Sequence, residues 1–209
     1  MPSFRAISVI TALACAAFSF AAPQPISNGL VAVEARDSGV TSVPQILQRV
    51  TGDLQPIVDQ LFYITSDNNT ASIVNPILGD VKVILGGAIS DVKALTSATA
   101  DAALDTVNYT VQDLAPLIAV VVNLVLIALG KVLQLLSVAE YQLIFPVLCE
   151  VGTLVGNLLT LILAIVDAKG TLAVLLATLL PLIHRVLAII VNLGITSVFS
   201  SLGVNAFNN

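Results

Sequence analysis

The spacing of apolar positions changes character along the chain. Ile46, Leu47, Val50, Leu54, Ile57, Val58 and Leu61 recur at helical spacing. Gly52 and Pro56 interrupt that run, and Asp53 is placed to cap a restarted helix that holds Pro56 in its first turn. A cleaner stripe follows: Ile73, Val74, Ile77, Leu78, Val81, Ile84, Leu85, Ala88, Ile89, Val92 and Leu95. Asp80, Lys82, Asp91 and Lys93 occupy its other face, so one side of this helix seeks a core and the other seeks water. Leu104, Val107, Val111 and Leu114 predict a third, shorter helix. Beyond Asp113 the polar face disappears. Leu114–Gly130, Val151–Val166, Gly170–Ile183 and Val186–Phe199 are uncharged, and joined across single charges they predict three long helices over 114–138, 141–167 and 171–200. Pro146 and Pro181 are expected to kink or split the later two. Asp113-Leu114-Ala115-Pro116 repeats the helix-start pattern of Asp53-Leu54-Gln55-Pro56. The pattern predicts an all-α fold: amphipathic helices followed by a very apolar antiparallel helical bundle.

Composition sharpens this picture. Hydrophobic residues make up 57% of the 209 and charged residues 10%, against about 25% charged in ordinary soluble domains. Trp is absent, so the apolar mass is Leu, Val, Ile and Ala. Charge is also unevenly spread. Residues 22–113 hold ten acidic and four basic side chains, whereas 114–209 hold three of each. The implied division is an acidic amphipathic helical region over 44–113 and an apolar bundle over 114–204.

The N-terminus reads as an address. Arg5 precedes an apolar stretch from Ile7 to Phe20, and Ser19 and Ala21 supply the small residues of a cleavage site, so 1–21 is expected to be a secretory signal peptide. Residues 22–43, with prolines, glycines, Glu34, Arg36 and Asp37, read as a flexible leader; a propeptide cut after Arg36 is the alternative. Cleavage at Ala21 removes Cys15 and leaves Cys149 as a lone thiol in an apolar stretch, expected to be a buried small hydrophobe. The expected location is therefore extracellular, with stability drawn from apolar burial rather than a disulfide framework.

Candidate chemistry is sparse. Asn68-Asn69-Thr70 and Asn108-Tyr109-Thr110 are glycosylation sequons, both in the polar half. His184, the single histidine, lies in an apolar stretch without the nucleophile and orienting acid a catalytic His needs, so no enzyme is expected. No Cys/His cluster suggests zinc, no cofactor is expected, and the absence of a basic patch excludes nucleic acid as a partner. Gly86-Gly87 falls inside a helical pattern and is expected to permit close helix packing rather than phosphate binding. If the two long apolar segments after Asp113 form a hairpin turning near residue 140, Asn123 lies level with Asn157, and Lys131 with Glu150; a second hairpin brings Arg185 to the same level. These five residues would form a structural polar layer, since pairing lowers the cost of a buried charge.

A membrane span needs about 20 apolar residues, and each of the three long segments suffices if one charge is tolerated. Against spanning, no Lys/Arg cluster marks a cytoplasmic loop, no Trp/Tyr belt marks an interface, and Lys131, Glu150 or Arg185 sits within each segment. The layout resembles a family of small secreted cell-wall proteins of mushroom-forming basidiomycetes, with a hydrophilic first half and a strongly hydrophobic second half. Its most suggestive stretch is Ile84-Leu85-Gly86-Gly87-Ala88-Ile89-Ser90-Asp91-Val92-Lys93. Asp91-Val92-Lys93-Ala94-Leu95-Thr96 also resembles fungal hydrophobic-surface-binding mannoproteins. The resemblance implies a non-catalytic protein of the wall and medium that supports aerial hyphae or attachment where hydrophobin is lacking. Hydrophobins themselves are excluded, because the mature chain lacks their cysteine framework. Two classes therefore compete. One is a secreted, surface-active structural protein whose partners are hydrophobic interfaces, cell-wall polymers or further copies of itself. The other is an integral membrane protein with two or three spans in the second half.

Overall fold

The computed structural model describes residues 42–202. The signal-peptide and cleavage-site expectations, Cys15, and the leader up to residue 41 with its Arg36 cut lie outside the described residues. All described residues belong to one compact unit, Ser38–Asn209. Every regular element among them is helical: α1 (Val43–Phe62), α2 (Ala71–Leu95), α3 (Ala100–Leu104), α4 (Val111–Leu135), α5 (Val138–Ala168), α6 (Leu172–Ile183), a 3-10 turn (His184–Val186), α7 (Leu187–Asn192) and a final 3-10 turn at Ser200–Leu202. The fold is all-α.

Prolines decide where several expectations yield. α1 runs unbroken through Gly52 and Pro56 instead of restarting at Asp53, and α5 runs unbroken through Pro146. Proline removes one hydrogen bond to the carbonyl four residues back. Here Pro56, Pro76, Pro116, Pro146 and Pro181 are all exposed, so water can serve the freed carbonyls while the buried stripe opposite holds the helix together. Only after Pro181 does the helix give way, to the 3-10 turn that separates α6 from α7. The expected helix around Leu104–Leu114 also divides. Thr99 caps the short α3, Asp105 takes a left-handed conformation (φ 51°) just after it, and α4 begins afresh at Val111. Its start is a capping box: Thr110 accepts from the Asp113 amide while the Asp113 carboxylate accepts from the Thr110 amide.

Consecutive helices run oppositely, but the heaviest packing is between helices of different hairpins. α1 packs on α2 and α4, α2 on α5, and α6 with α7 on α4. Polar contacts give the directions. Arg49 pairs with Asp91, so α1 and α2 run oppositely. The Ala71 amide donates to Glu140 (2.8 Å) and Lys82 pairs with Glu150, so α2 and α5 run the same way. Gln48 reaches Tyr109 (3.0 Å) and Lys131 reaches the Phe62 carbonyl, so α1 and α4 run the same way. Asn123 donates to the Leu182 carbonyl (3.0 Å), and Gly130 faces Ile189, so α6–α7 follows α4 in parallel. The outcome is two layers, α1/α4/α6–α7 and α2/α5, stacked like the repeats of a solenoid.

Burial shows why. Laid with Pro76 on Pro146, the buried positions of α2 (Val74, Leu78, Val81, Leu85, Ala88, Val92) coincide one for one with Ile144, Leu148, Val151, Val155, Leu158 and Ile162 of α5. Ile46, Leu47, Val50, Leu54, Val58, Leu61 and Ile64 match Leu114, Ala115, Ile118, Val122, Leu126, Leu129 and Val132 in the same manner, with the N-caps Ser42 and Thr110 in register. Leu175, Leu179, Ile183, Val186, Ile190 and Leu193 match α4 again, from Leu114 to Val132. Two helical hairpins and a third first-helix thus share one apolar pattern, and like packs on like. The change of charge near Asp113 falls between elements of this single stack.

Two measurements check this arrangement. Leu148→Ala removes a wholly buried side chain and should lower unfolding free energy by about 2–5 kcal/mol; Pro146→Ala, on the exposed side of the same helix, should raise it. Denaturant unfolding of both variants reads these opposite signs. The second concerns acid. Asp101 lies below its ordinary pKa because Lys169 donates to it and adds its charge; Asp113 does so because the Thr110 hydroxyl and amide donate to it. A carboxyl depressed in the folded state contributes stability that is complete above its unfolded pKa and is lost as pH falls through the folded value. The thermal midpoint of the parent protein should therefore fall more steeply in acid than that of Asp101→Asn/Asp113→Asn.

Candidate functional site

The sequence's charge asymmetry becomes a spatial one. α1, α2, α3 and their connections carry Asp53, Asp67, Asp80, Lys93 and Asp101 on exposed positions. α6–α7, on the opposite side of α4 from α1, exposes Val174 (48%), Leu182 (41%) and Val191 (45%), and α4 between them exposes Val120 (47%) and Ile127 (41%); Ile73, Val83 and Val107 are exposed on α2 and the α3–α4 connection. α4 and α6 pack together. Between Asp113 and Lys131 the first of these helices bears no charge, and α6–α7 bears only Arg185. Each apolar side chain left in water forgoes about 1.5–3 kcal/mol of burial, so a cluster of them marks a surface with something to gain from contact. A second apolar group stands at the end of the stack where α1 meets α2 and α4 meets α5: Phe62, Tyr63, Val138, Tyr141 and Leu143 are all exposed. Tyr141 and Phe145 stack there with ring centroids 4.6 Å apart, and Lys131 lies 5.9 Å from the Phe62 centroid. By length and composition alone, Ala71–Leu95, Val111–Leu135, Val138–Ala168 and Leu172–Asn192 are each long and apolar enough to cross a membrane.

The five residues expected to form one polar layer have separate surroundings. Glu150 pairs with Lys82 of α2, because α2 rather than α4 supplies the basic side chain beside it. Lys131 donates to the Phe62 carbonyl at the end of α1. Asn123 donates to the Leu182 carbonyl, while its own carbonyl oxygen is buried without a partner. Asn157 is exposed on α5 and Arg185 is exposed in the 3-10 turn. The layer assumed a turn near residue 140 and no helix beside α5 but its hairpin partner; the turn falls at 136–137, and α5 also packs in parallel on α2.

The sequons sit in loops at opposite ends of the stack. Asn68 follows α1, its side-chain oxygen accepting from the Thr65 amide (2.6 Å). Its neighbour Asn69 is buried and donates to the Val132 carbonyl (3.3 Å), which ties this loop to α4. Asn108 is exposed between α3 and α4 and donates to Asp105 (2.9 Å). Cys149 is half-buried; its thiol donates to the Leu193 carbonyl (3.3 Å), and burial pushes its pKa up. Gly86 has open space where a Cβ would stand, so it does not serve close helix packing; that role falls to Gly130, Gly152 and Gly156.

Lys82 was legible only as a solvent-facing charge. Aligning Pro76 with Pro146 is the signal that would have placed its helix beside Glu150. No group of three His, Cys, Asp or Glu side chains able to hold a metal occurs among the described residues. A shallow depression beside Lys82, Cys149, Glu150, Thr153 and Leu154 is open to solvent, and the cavity between Leu47, Ile118 and Leu159 holds only about 10 Å³. Neither a family model, nor a curated protein, nor a solved structure matches the chain.

Proposed function

We propose that this chain is a secreted, non-catalytic, surface-active structural protein of the fungal cell wall or extracellular matrix, supporting aerial hyphae or attachment. The exposed apolar side chains of α4 and α6–α7, on helices that carry few charges and with α6–α7 farthest from α1, carry this reading. Such a body adsorbs with its apolar end against a hydrophobic phase and its acidic end in water. The cell-wall setting rests on the resemblance in layout and on the signal-peptide pattern, and the glycans expected at Asn68 and Asn108 would add to the hydrated side.

A membrane protein is the second reading, favoured by the four helices of spanning length. The charges Asp80, Lys82 and Glu150 within α2 and α5 weigh against it, since an ionised side chain at mid-depth is costly in lipid. Detergent dependence separates the alternatives, and the sequons test whether α2 is itself a span. They flank α2, so a spanning α2 would put Asn68 and Asn108 on opposite sides of a bilayer, where only one can meet the glycosylation machinery. The expected outcome is recovery of the protein from medium and wall extracts without detergent, with mass spectrometry finding glycan at both asparagines. Recovery only in detergent would replace this reading with the membrane one, and a single occupied asparagine would then place α2 among the spans.

A further inference from the structure

The chain does not end its stack with a free helix. After α7, Gly194 takes a left-handed conformation (φ 69°), a turn that suits glycine, and the segment Ile195–Leu202 folds back over α5. It occupies the place a further hairpin helix would take. Position 82 of α2 receives Glu150 from the next repeat; the matching position of α5 is Gly152, and it receives Ile195. One turn on, Gly156 receives Val198 and Phe199. A Cβ at either glycine would collide with these side chains, so the two glycines are the seats of the strap.

What holds the strap is almost wholly apolar. Leu193, Ile195, Phe199 and Leu202 are buried. Among the described residues, the backbone hydrogen bonds of Ile195–Leu202 run to the strap itself or to α7: Ile195 to Ile190, Val198 to Ile195, Phe199 to Thr196 and Leu202 to Phe199. The thiol of Cys149 donating to Leu193 is the polar tie to α5. A segment that carries its own backbone hydrogen bonds leaves its seat without breaking a ladder. Its hold is the removal of apolar surface from water, which has no force where the surroundings are apolar.

We infer that Ile195–Leu202 is a releasable strap, hinged at Gly194, that in water masks an apolar groove on α5 floored by Gly152 and Gly156, and that contact with a hydrophobic phase releases it so that groove and strap both face that phase. This rests on the surface-active reading above. In water the released state exposes the buried side chains of Ile195, Phe199 and Leu202 and the groove beneath them, so the strap stays shut; at an oil or polymer surface the same groups find apolar neighbours, and the closed state loses its advantage. The device keeps the secreted protein soluble until it reaches a surface.

Cys149, one turn before Gly152 on α5 and bonded to Leu193 just ahead of the hinge, reports the opening. The full secreted protein is incubated with maleimide, with and without hexadecane droplets; adsorption, adduct formation by intact mass and far-ultraviolet circular dichroism are followed together. The expected result is a several-fold rise in the Cys149 labelling rate on the droplets with helicity retained. Gly156→Ala, which favours the helix itself but crowds Val198 and Phe199, should raise labelling in water alone. Adsorption with labelling at the solution rate overturns the strap and leaves surface activity standing. Loss of helicity on the droplets overturns it in favour of general unfolding, as does parent-like labelling of Gly156→Ala in water. Failure to adsorb at all overturns both the strap and the surface-active reading.

Discussion

The packing of α2 against α5 joins the two halves of the chain. One half is acidic and amphipathic, the other nearly free of charge, yet their second helices bury the same six positions in the same register. No disulfide ties the described residues, and ion pairs at partly exposed positions, such as Arg49–Asp91 and Lys82–Glu150, are worth at most about 1 kcal/mol each. Cohesion therefore comes from matched apolar stripes. That requirement also sets the directions of the helices: α2 can meet α5 in register only if the hairpins stack side by side, which brings α1 to α4 and α4 to α6–α7.

Much of this was legible in the sequence. The stripes from Ile46 to Leu61 and from Ile73 to Leu95 predicted helices that α1 and α2 realise, and the uncharged runs after Asp113 predicted α4 and α5 within a few residues, whereas the helix expected over 171–200 is split into α6 and α7 and stops at Asn192. Topology was less legible. Helical spacing says which face is buried but not which helix it meets, and pairing neighbours in sequence pointed to an antiparallel bundle with Lys131 beside Glu150. The repeated Asp-Leu-x-Pro was out of register with the internal repeat, since Asp53 lies in the middle of α1 and Asp113 in the first turn of α4. The match of Pro76 with Pro146 and of Asp80 with Glu150 lies between segments of different polarity, where composition hides it. Proline was read as a breaker at positions 56 and 146, because exposure, which makes it tolerable, is a property of the fold.

The candidate surface was legible in outline only. Composition required apolar groups to remain in water, but which ones depends on the stack: Val120 and Ile127 are exposed because α6–α7 covers another side of α4. The strap was the least legible. Residues 186–199 read as the end of a long helix, and only Gly194, with the glycines of α5 that accept Ile195 and Val198, distinguishes a segment that turns back.

Stacking by repeats has a consequence for how the molecule comes apart. α6–α7 packs on α4 and α5, while α1 packs mainly on α2 and α4. A body in which each unit touches mainly its neighbours divides its stability among local interfaces, and its cooperativity decays with distance along the stack. Disturbance at the apolar end then need not propagate to the charged end. α1 and α2 can remain folded while α6, α7 and Ile195–Leu202 rearrange, so order on one side of the stack does not depend on order on the other.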